Sequence, residues 1–250
     1  MPPPEEEASA TALERLLSGA ANPGYVAFHR PRFDFLVEAA RPHVRRPDCR
    51  VLDVGTSHLT SLLSKELKVR VDSLGLEDDC QVAGAWHYRF DLNDAQDRAR
   101  WRTDMGPYDI VVLAEVLEHL HTAPELVLAY LSRLIAPHGL LLLQTPNAVA
   151  LRKRVRMLLG QNPFERLRAD RGNPGHFREY TASELRELLD GAGFSTEAVW
   201  MKYYFDARYA RHERGDEPPS RLRGRIKNAI NRIQPAPFQE GITIAARKLG

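Results

Sequence analysis

Cysteine is scarce: Cys49 and Cys80 are the only two among 250 residues. Two thiols cannot build a disulfide framework or a thiolate zinc site, so the chain suits a reducing compartment. Long apolar runs are missing too. The most apolar stretch, Leu126 to Leu143, is broken by Arg133, Pro137, His138 and Gly139, so no membrane span is expected. The start, Met-Pro-Pro-Pro-Glu-Glu-Glu, has no basic opening and no apolar core. It does not read as a secretory signal, and the expected location is cytoplasmic. Neither sign of charge dominates: 35 Lys+Arg face 33 Asp+Glu, for a net charge of +2. A wholesale polyanion binder is usually more basic, so nucleic acid is not the expected partner. No internal repeat is visible. What is present is ordinary globular composition, 43% hydrophobic and 27% charged. That excludes a mainly disordered chain, a collagen-like fibre and a coiled-coil rod. The length suits one α/β domain with additions.

Residues 1–10 read as a frayed tail. Thr11-Ala-Leu-Glu14 has the reciprocal capping spacing of a helix start, with Gly19 as a fitting stop. Tyr25 to Ala40 is a second helix candidate, with Phe33, Leu36, Val37 and Ala40 along one face. From Arg50 the pattern changes. Strands are expected at Arg50–Val54, Val69–Leu76, His87–Phe90, Asp109–Leu113, Leu140–Gln144, Phe194–Tyr203 and Gly241–Arg247. Helices are expected over Leu59–Leu67, from a Thr122-Ala-Pro-Glu125 capping spacing to about Ile135, and from Thr181-Ala-Ser-Glu184 to Gly191 or Gly193. Pro137-His138-Gly139 reads as a turn, and the four leucines after it call for burial on both faces. Strands alternating with helices argue for a parallel, doubly wound sheet. The expected organisation is an N-terminal helical cap or lid over 1–47, then one domain over 48–250. That domain carries a basic insertion at 206–240 before its last strand. The segments 151–180 and 207–232 each hold eight basic and three acidic residues, so positive charge gathers near the strand ends.

Ligands in such a sheet bind at the carboxyl ends of the strands, at the topological switch point. The loop after the first strand reads Asp53-Val54-Gly55-Thr56-Ser57-His58. The second strand is followed by Leu76-Glu77-Asp78-Asp79, where an acid can take both ribose hydroxyls of a nucleoside. The third leads into Phe90-Asp91-Leu92-Asn93, where an acid can accept from an adenine amino group. Further on come Gly106-Pro-Tyr-Asp-Ile-Val-Val-Leu-Ala-Glu-Val-Leu-Glu-His-Leu120 and Pro137-His-Gly-Leu-Leu-Leu-Leu-Gln-Thr-Pro-Asn147. His176-Phe-Arg-Glu-Tyr-Thr181 and Gly191-Ala-Gly-Phe194 follow.

This series, over roughly residues 48 to 203, resembles the class I S-adenosylmethionine-dependent methyltransferases in order and content. The resemblance implies a Rossmann-like, seven-stranded sheet with S-adenosyl-L-methionine as cofactor. It implies that Gly55 lets the backbone pass the cofactor, with Ser57 small enough to stand beside it. It implies Glu77 on the ribose, Asp91 and Leu92 at the adenine, and Ala114 and Glu115 beside the sulfonium. Asp53 either contacts the cofactor or organises the loop amides, and Asp72 is the alternative ribose acid. One departure is plain: the family's glycine-rich loop keeps only Gly55 here.

Methyl transfer to a hydroxyl needs a positioned nucleophile and a base or a metal to take or weaken its proton. Glu115-Val-Leu-Glu118-His119 offers both. In a helical turn Glu115, Glu118 and His119 share one face. With His176 as a fourth ligand, the set suits a divalent cation, Mg²⁺ or Mn²⁺. Glu118 and His119 alone also suit a metal-free acid–base pair. The arrangement resembles small-RNA 3′-end 2′-O-methyltransferases and ubiquinone-pathway O-methyltransferases, whose shared theme is a vicinal diol. Thr145-Pro-Asn147, Leu151-Arg-Lys-Arg and the His176 motif resemble bacterial methyltransferases of glycans and natural-product sugars. The expected acceptor is therefore a small molecule or glycan of anionic character, with Arg152, Arg154, Arg156 and Arg178 as candidate contacts. Tyr25, His29 and Arg30 are lid candidates. RNA 2′-O-methylation and a non-catalytic scaffold are the alternatives.

Overall fold

The computed structural model describes residues 23–76, 82, 84–170, 174–210 and 221–250, and every expected strand is there. They are β1 (Val51–Val54), β2 (Val71–Gly75), β3 (His87–Arg89), β4 (Tyr108–Ala114), β5 (Ile135–Pro146), β6 (Phe194–Lys202) and β7 (Gly241–Lys248). The helices are α1 (Pro23–Ala40), α2 (His58–Leu67), α3 (Pro124–Leu134), α4 (Leu151–Leu158), α5 (Ala182–Gly191) and α6 (Arg221–Ile233). The expected helix at Thr11–Gly19 lies outside the described residues. The seven strands form one sheet in the order β3-β2-β1-β4-β5-β7-β6. Strand order reverses between β1 and β4, which makes their carboxyl ends the switch point.

The seven-stranded, doubly wound sheet is as expected, but its pairing is mixed and not parallel throughout. β3, β2, β1, β4 and β5 run parallel, but β7 enters antiparallel between β5 and β6. Antiparallel neighbours need no helical crossover, yet α6 lies between β6 and β7 in the chain, so strand–helix alternation continues there without signalling parallel pairing. Leu140 to Leu143 are fully buried, as a leucine run in an interior strand requires. On one sheet face Leu52, Val54, Val111, Leu113, Leu141 and Leu143 share a core with Tyr130, Leu131, Leu185 and Leu189 of α3 and α5. Each such side chain contributes roughly 1.5–3 kcal/mol by leaving water. Pro137–Gly139 lies inside β5 as an irregularity: His138 has φ 60°, and the β4–β5 register shifts between Tyr108 and Ile110.

Local caps explain where the helices begin. Ser57 opens α2 in a reciprocal box with Thr60, and Thr181 opens α5 in one with Glu184. The expected Thr122 cap is not formed. Ala123 stands at the cap of α3 without a side-chain bond, and Pro124 occupies the first turn. Proline there has no amide in need of capping. The Thr122 hydroxyl instead donates to Asn93 O at 2.8 Å.

The chain groups into two compact units, 36–202 with 235–250, and the described parts of 1–35 with 203–234. The second unit joins part of the expected N-terminal cap to most of the expected insertion. Asp206 N donates to Phe28 O at 2.9 Å, and Phe28 stacks on Phe205 with ring centroids 4.8 Å apart. Asp206 Oδ1 also accepts from Asn228 Nδ2 of α6 at 3.0 Å. No helix among the described residues is long and apolar enough to cross a membrane.

Candidate active site

The carboxyl ends of β1 and β4 lie side by side in register, Val54 opposite Leu113. β1 runs into Gly55, whose φ is 88° and whose N donates to Leu74 O at 2.8 Å. A Cβ there would lie 2.6 Å from Val116 Cγ2. The single glycine of this loop is therefore needed both for its backbone conformation and for the approach of the β4 loop. Behind it, fully buried Asp53 accepts the Thr60 hydroxyl at 2.6 Å, and Thr60 Oγ1 in turn accepts from Ser57 N at 3.3 Å. Ser57 Oγ accepts from Leu59 N at 3.2 Å. Asp53 and Ser57 thus build the turn and the start of α2. Between them, Thr56 Oγ1 is buried with no hydrogen-bonding partner among the described residues.

After β3, Asp91 Oδ1 accepts from Asn93 N at 2.8 Å and from Asn93 Nδ2 at 3.0 Å, capping a short turn over Leu92–Gln96. Leu92 is buried. Asn93 Oδ1 accepts from His121 N at 2.9 Å, which ties this loop to the one after β4. Glu77, with Asp78 and Asp79, lies outside the described residues. Asp72 sits near the start of β2, opposite Leu52, where it accepts from Arg70 Nε at 2.7 Å and from Tyr108 Oη at 3.1 Å. The β2 register therefore keeps it away from the strand end where a ribose acid is wanted.

Ala114 closes β4. Glu115 then turns left-handed, with φ 56°, and its N donates to Gln144 O at 2.9 Å. A helical turn covers only Leu117–His119, so the expected shared face of Glu115, Glu118 and His119 does not form. The potential metal-ligand group is instead Glu118, His119 and His176, with ligand atoms all within 4.8 Å of one another. Glu115 is not in it. The residue that breaks the turn is the one that the even spacing assumed to be inside it.

Long-range bonds assemble this group. Glu118 is completely buried and accepts the Thr145 hydroxyl at 2.9 Å, while its carbonyl accepts from Phe177 N at 2.8 Å. That backbone bond brings His176 in, with ring centroids of His119 and His176 4.7 Å apart. His119 Nδ1 lies 3.0 Å from Gly175 O. A carbonyl only accepts, so Nδ1 carries a proton, and in the neutral ring this leaves the Nε2 lone pair as the acceptor. His176 Nδ1 lies 3.1 Å from Glu179 Oε1. Glu179 pairs with Lys153, whose Nζ also donates to Asn147 O at 2.9 Å. Burial first, and His119 second, pull the His176 imidazolium down to about 4, so the ring is neutral near pH 7. Burial pulls Lys153 down to about 8.

Thr145, Lys153 and Glu179 escaped the sequence reading as site residues. The available signals were slight: Glu179 stands three residues after His176, and Thr145 and Lys153 lie in short motifs beside them. Arg152, Arg154 and Arg156 lie on α4. Arg178 is partly exposed, with Nη2 2.9 Å from Glu184 Oε1. Tyr25, His29 and Arg30 all lie on α1.

A family profile described as a methyltransferase domain matches residues 25–199. A probable S-adenosylmethionine-dependent methyltransferase of Mycolicibacterium smegmatis is 36% identical over 89 residues, which is 36% of this chain and 29% of that protein. The chain thus spans less than a third of that relative. A SAM-dependent methyltransferase from Archaeoglobus fulgidus has a similar fold, with TM-score 0.52 and 16% identity over 86% of this chain and 94% of that one. So has 1,6-didemethyltoxoflavin-N1-methyltransferase of Burkholderia thailandensis, solved with S-adenosylhomocysteine, with TM-score 0.53 and 17% identity over 100% and 92%. At such identities the two structures speak for the fold.

Proposed function

The chain belongs to the methyltransferase-domain family, whose class I members use S-adenosylmethionine, and from that premise we propose that it methylates a hydroxyl of a sugar, glycan or other small molecule. The observation that carries the reading is the Glu118–His119–His176 group beside the β1–β4 switch point.

The cofactor fits the turn after β1. Gly55 has positive φ, and the buried Thr56 hydroxyl has no partner among the described residues, so a polar ligand atom would satisfy it. Gly55, Thr56 and Ser57 would hold the methionine side, Asp91 and Leu92 the adenine, and Ala114 and Glu115 the sulfonium region. Glu77 remains the ribose candidate. When bound, the cofactor supplies an electrophilic methyl on a cationic sulfur.

The acceptor hydroxyl must be aligned with that methyl and relieved of its proton. One carboxylate and two imidazoles form a cation-binding set, and imidazole donors favour Mn²⁺ over Mg²⁺. Glu118, His119 and His176 would hold the cation, which would supply a lowered pKa for the hydroxyl and an orientation for a vicinal diol. The Lys153–Glu179 pair holds the His176 ring in place from behind. A second reading is favoured by the His119–Gly175 bond: His119 Nε2 is presented as an acceptor and takes the proton itself. The basic residues Arg152, Arg154, Arg156 and Arg178 give the acceptor an anionic preference.

Metal-stripped enzyme, assayed with radiolabelled cofactor on sugar and catechol acceptors, decides between the two readings. The cation reading expects lost turnover, restored by Mn²⁺. Undiminished turnover after stripping would leave His119 as the base. Calorimetry showing no cofactor binding would favour the scaffold alternative instead.

A further inference from the structure

α6 packs by its polar side. Gly224 and Asn231 are its buried residues. At Gly224 a Cβ would lie 2.4 Å from Arg208 Cα. One turn on, Asn228 accepts from Ala207 N at 2.9 Å through Oδ1 and reaches Asp206 through Nδ2. Its apolar side chains point the other way: Leu222, Ile226, Ile230 and Ile233 are 72%, 52%, 50% and 82% exposed. At about 100° per residue these four fall within an arc of roughly 80°, opposite the buried side. Amphipathic surface helices normally show the reverse arrangement, with the apolar stripe inward.

The charges complete the pattern. Arg223 and Lys227 border the stripe on one side, and Arg225 and Arg232 on the other. The helix sequence, Arg-Leu-Arg-Gly-Arg-Ile-Lys-Asn-Ala-Ile-Asn-Arg-Ile, contains no acid. An apolar stripe with cations along both borders matches the interface of an anionic bilayer. Leucine and isoleucine enter the acyl boundary, and the long basic stems keep their charges at the headgroup phosphates. An RNA partner would use the cations but leave the four aliphatic side chains in water. An acidic protein groove is less suited to cations on both flanks.

We infer that α6 is a membrane-docking helix that seats the protein on an anionic phospholipid surface without spanning it. The inference rests on α6 alone and does not depend on the acceptor or on metal use. The length of the helix, 13 residues, suits lying in the interface and is too short to span the bilayer.

The full chain is sedimented with phosphatidylcholine vesicles containing or lacking phosphatidylglycerol. Binding is expected only with phosphatidylglycerol, and it should weaken as salt rises. Ile226→Asp with Ile230→Asp should reduce the bound fraction at least tenfold, and so should Arg223→Glu with Arg225→Glu. Leu222→Ser with Ile233→Ser is the milder control, expected to weaken binding with an unchanged thermal unfolding curve. No binding to either vesicle would overturn the proposal. Equal binding by the Ile226/Ile230 variant would overturn it as well. So would binding of single-stranded RNA that resists those two isoleucine substitutions in a chain that ignores vesicles.

Discussion

The Thr145 hydroxyl donates to Glu118 Oε2 at 2.9 Å, joining the end of β5 to the turn after β4 at a fully buried carboxylate. Thr145→Val removes that donor from a buried carboxylate. A stability loss of about 1–3 kcal/mol is expected, read as a lower midpoint in thermal unfolding. Glu118→Gln keeps an oxygen to accept from Thr145 but removes the charge. It should unfold close to wild type while turnover falls steeply. Equal damage to stability in the two variants would argue that the carboxylate is only structural.

His119→Ala should cost about 10²–10⁴-fold in turnover, the usual worth of a positioned acid–base group. Cofactor affinity by calorimetry should stay unchanged, because among the described residues the His119 ring is held by Gly175 O and not by Gly55, Thr56 or Ser57. A fully active variant would dismiss both the cation and the base readings.

Gly55→Ala meets two obstacles, the positive φ of 88° and Val116 Cγ2 at 2.6 Å. A loss of roughly 1–3 kcal/mol is expected. Adding Val116→Ala should restore only part of it, since truncation relieves the clash and leaves the backbone strain. Complete recovery in denaturant titrations would show that the conformation itself costs nothing.

Asp206 has a pH signature. Burial works against its charge, but hydrogen bonds from Arg208 and Asn228 prevail and hold it below the ordinary carboxylate value. A depressed folded-state pKa adds stability above the unfolded value, near 3.9, and that gain disappears as pH falls through the folded value. Asp206→Asn should therefore lower stability at pH 7 and flatten its decline between about pH 5 and 3. Parallel acid limbs in wild type and variant would refute this assignment.

Cys49 is buried, and burial, with Asp109 next, pushes its thiol up to about 11. At pH 8 almost no thiolate is present, so iodoacetamide should spare Cys49 in the folded protein and label it after denaturation. Peptide mass spectrometry reads the site directly. Rapid native labelling would mean that the region around Arg46 and Asp109 opens readily.

Much of the frame was readable from residue pattern. The apolar runs at Val51–Val54 and Leu140–Leu143 are strands, legible because short apolar runs bounded by turn residues suit burial on both faces of a sheet. Thr181 and Glu184 form their cap because both partners lie within four residues. Thr122 had the same spacing and failed, because Asn93 from a distant loop claimed its hydroxyl. Glu115 failed as a third face member for a different reason. Its backbone answers to Gln144, 29 positions further along the chain, and such a demand has no local signature.

The amino-acid sequence by itself determined the alternation of strands and helices, the Gly55 turn, and the two histidines worth watching. Those features follow from short-range periodicity, capping and residue chemistry. Only the tertiary structure decided that β7 runs antiparallel between β5 and β6. It also decided that Glu118 rather than Glu115 joins the histidines, and that α6 turns its isoleucines outward. Each of these depends on contacts between residues far apart in the sequence, and such contacts exist only once the chain has folded.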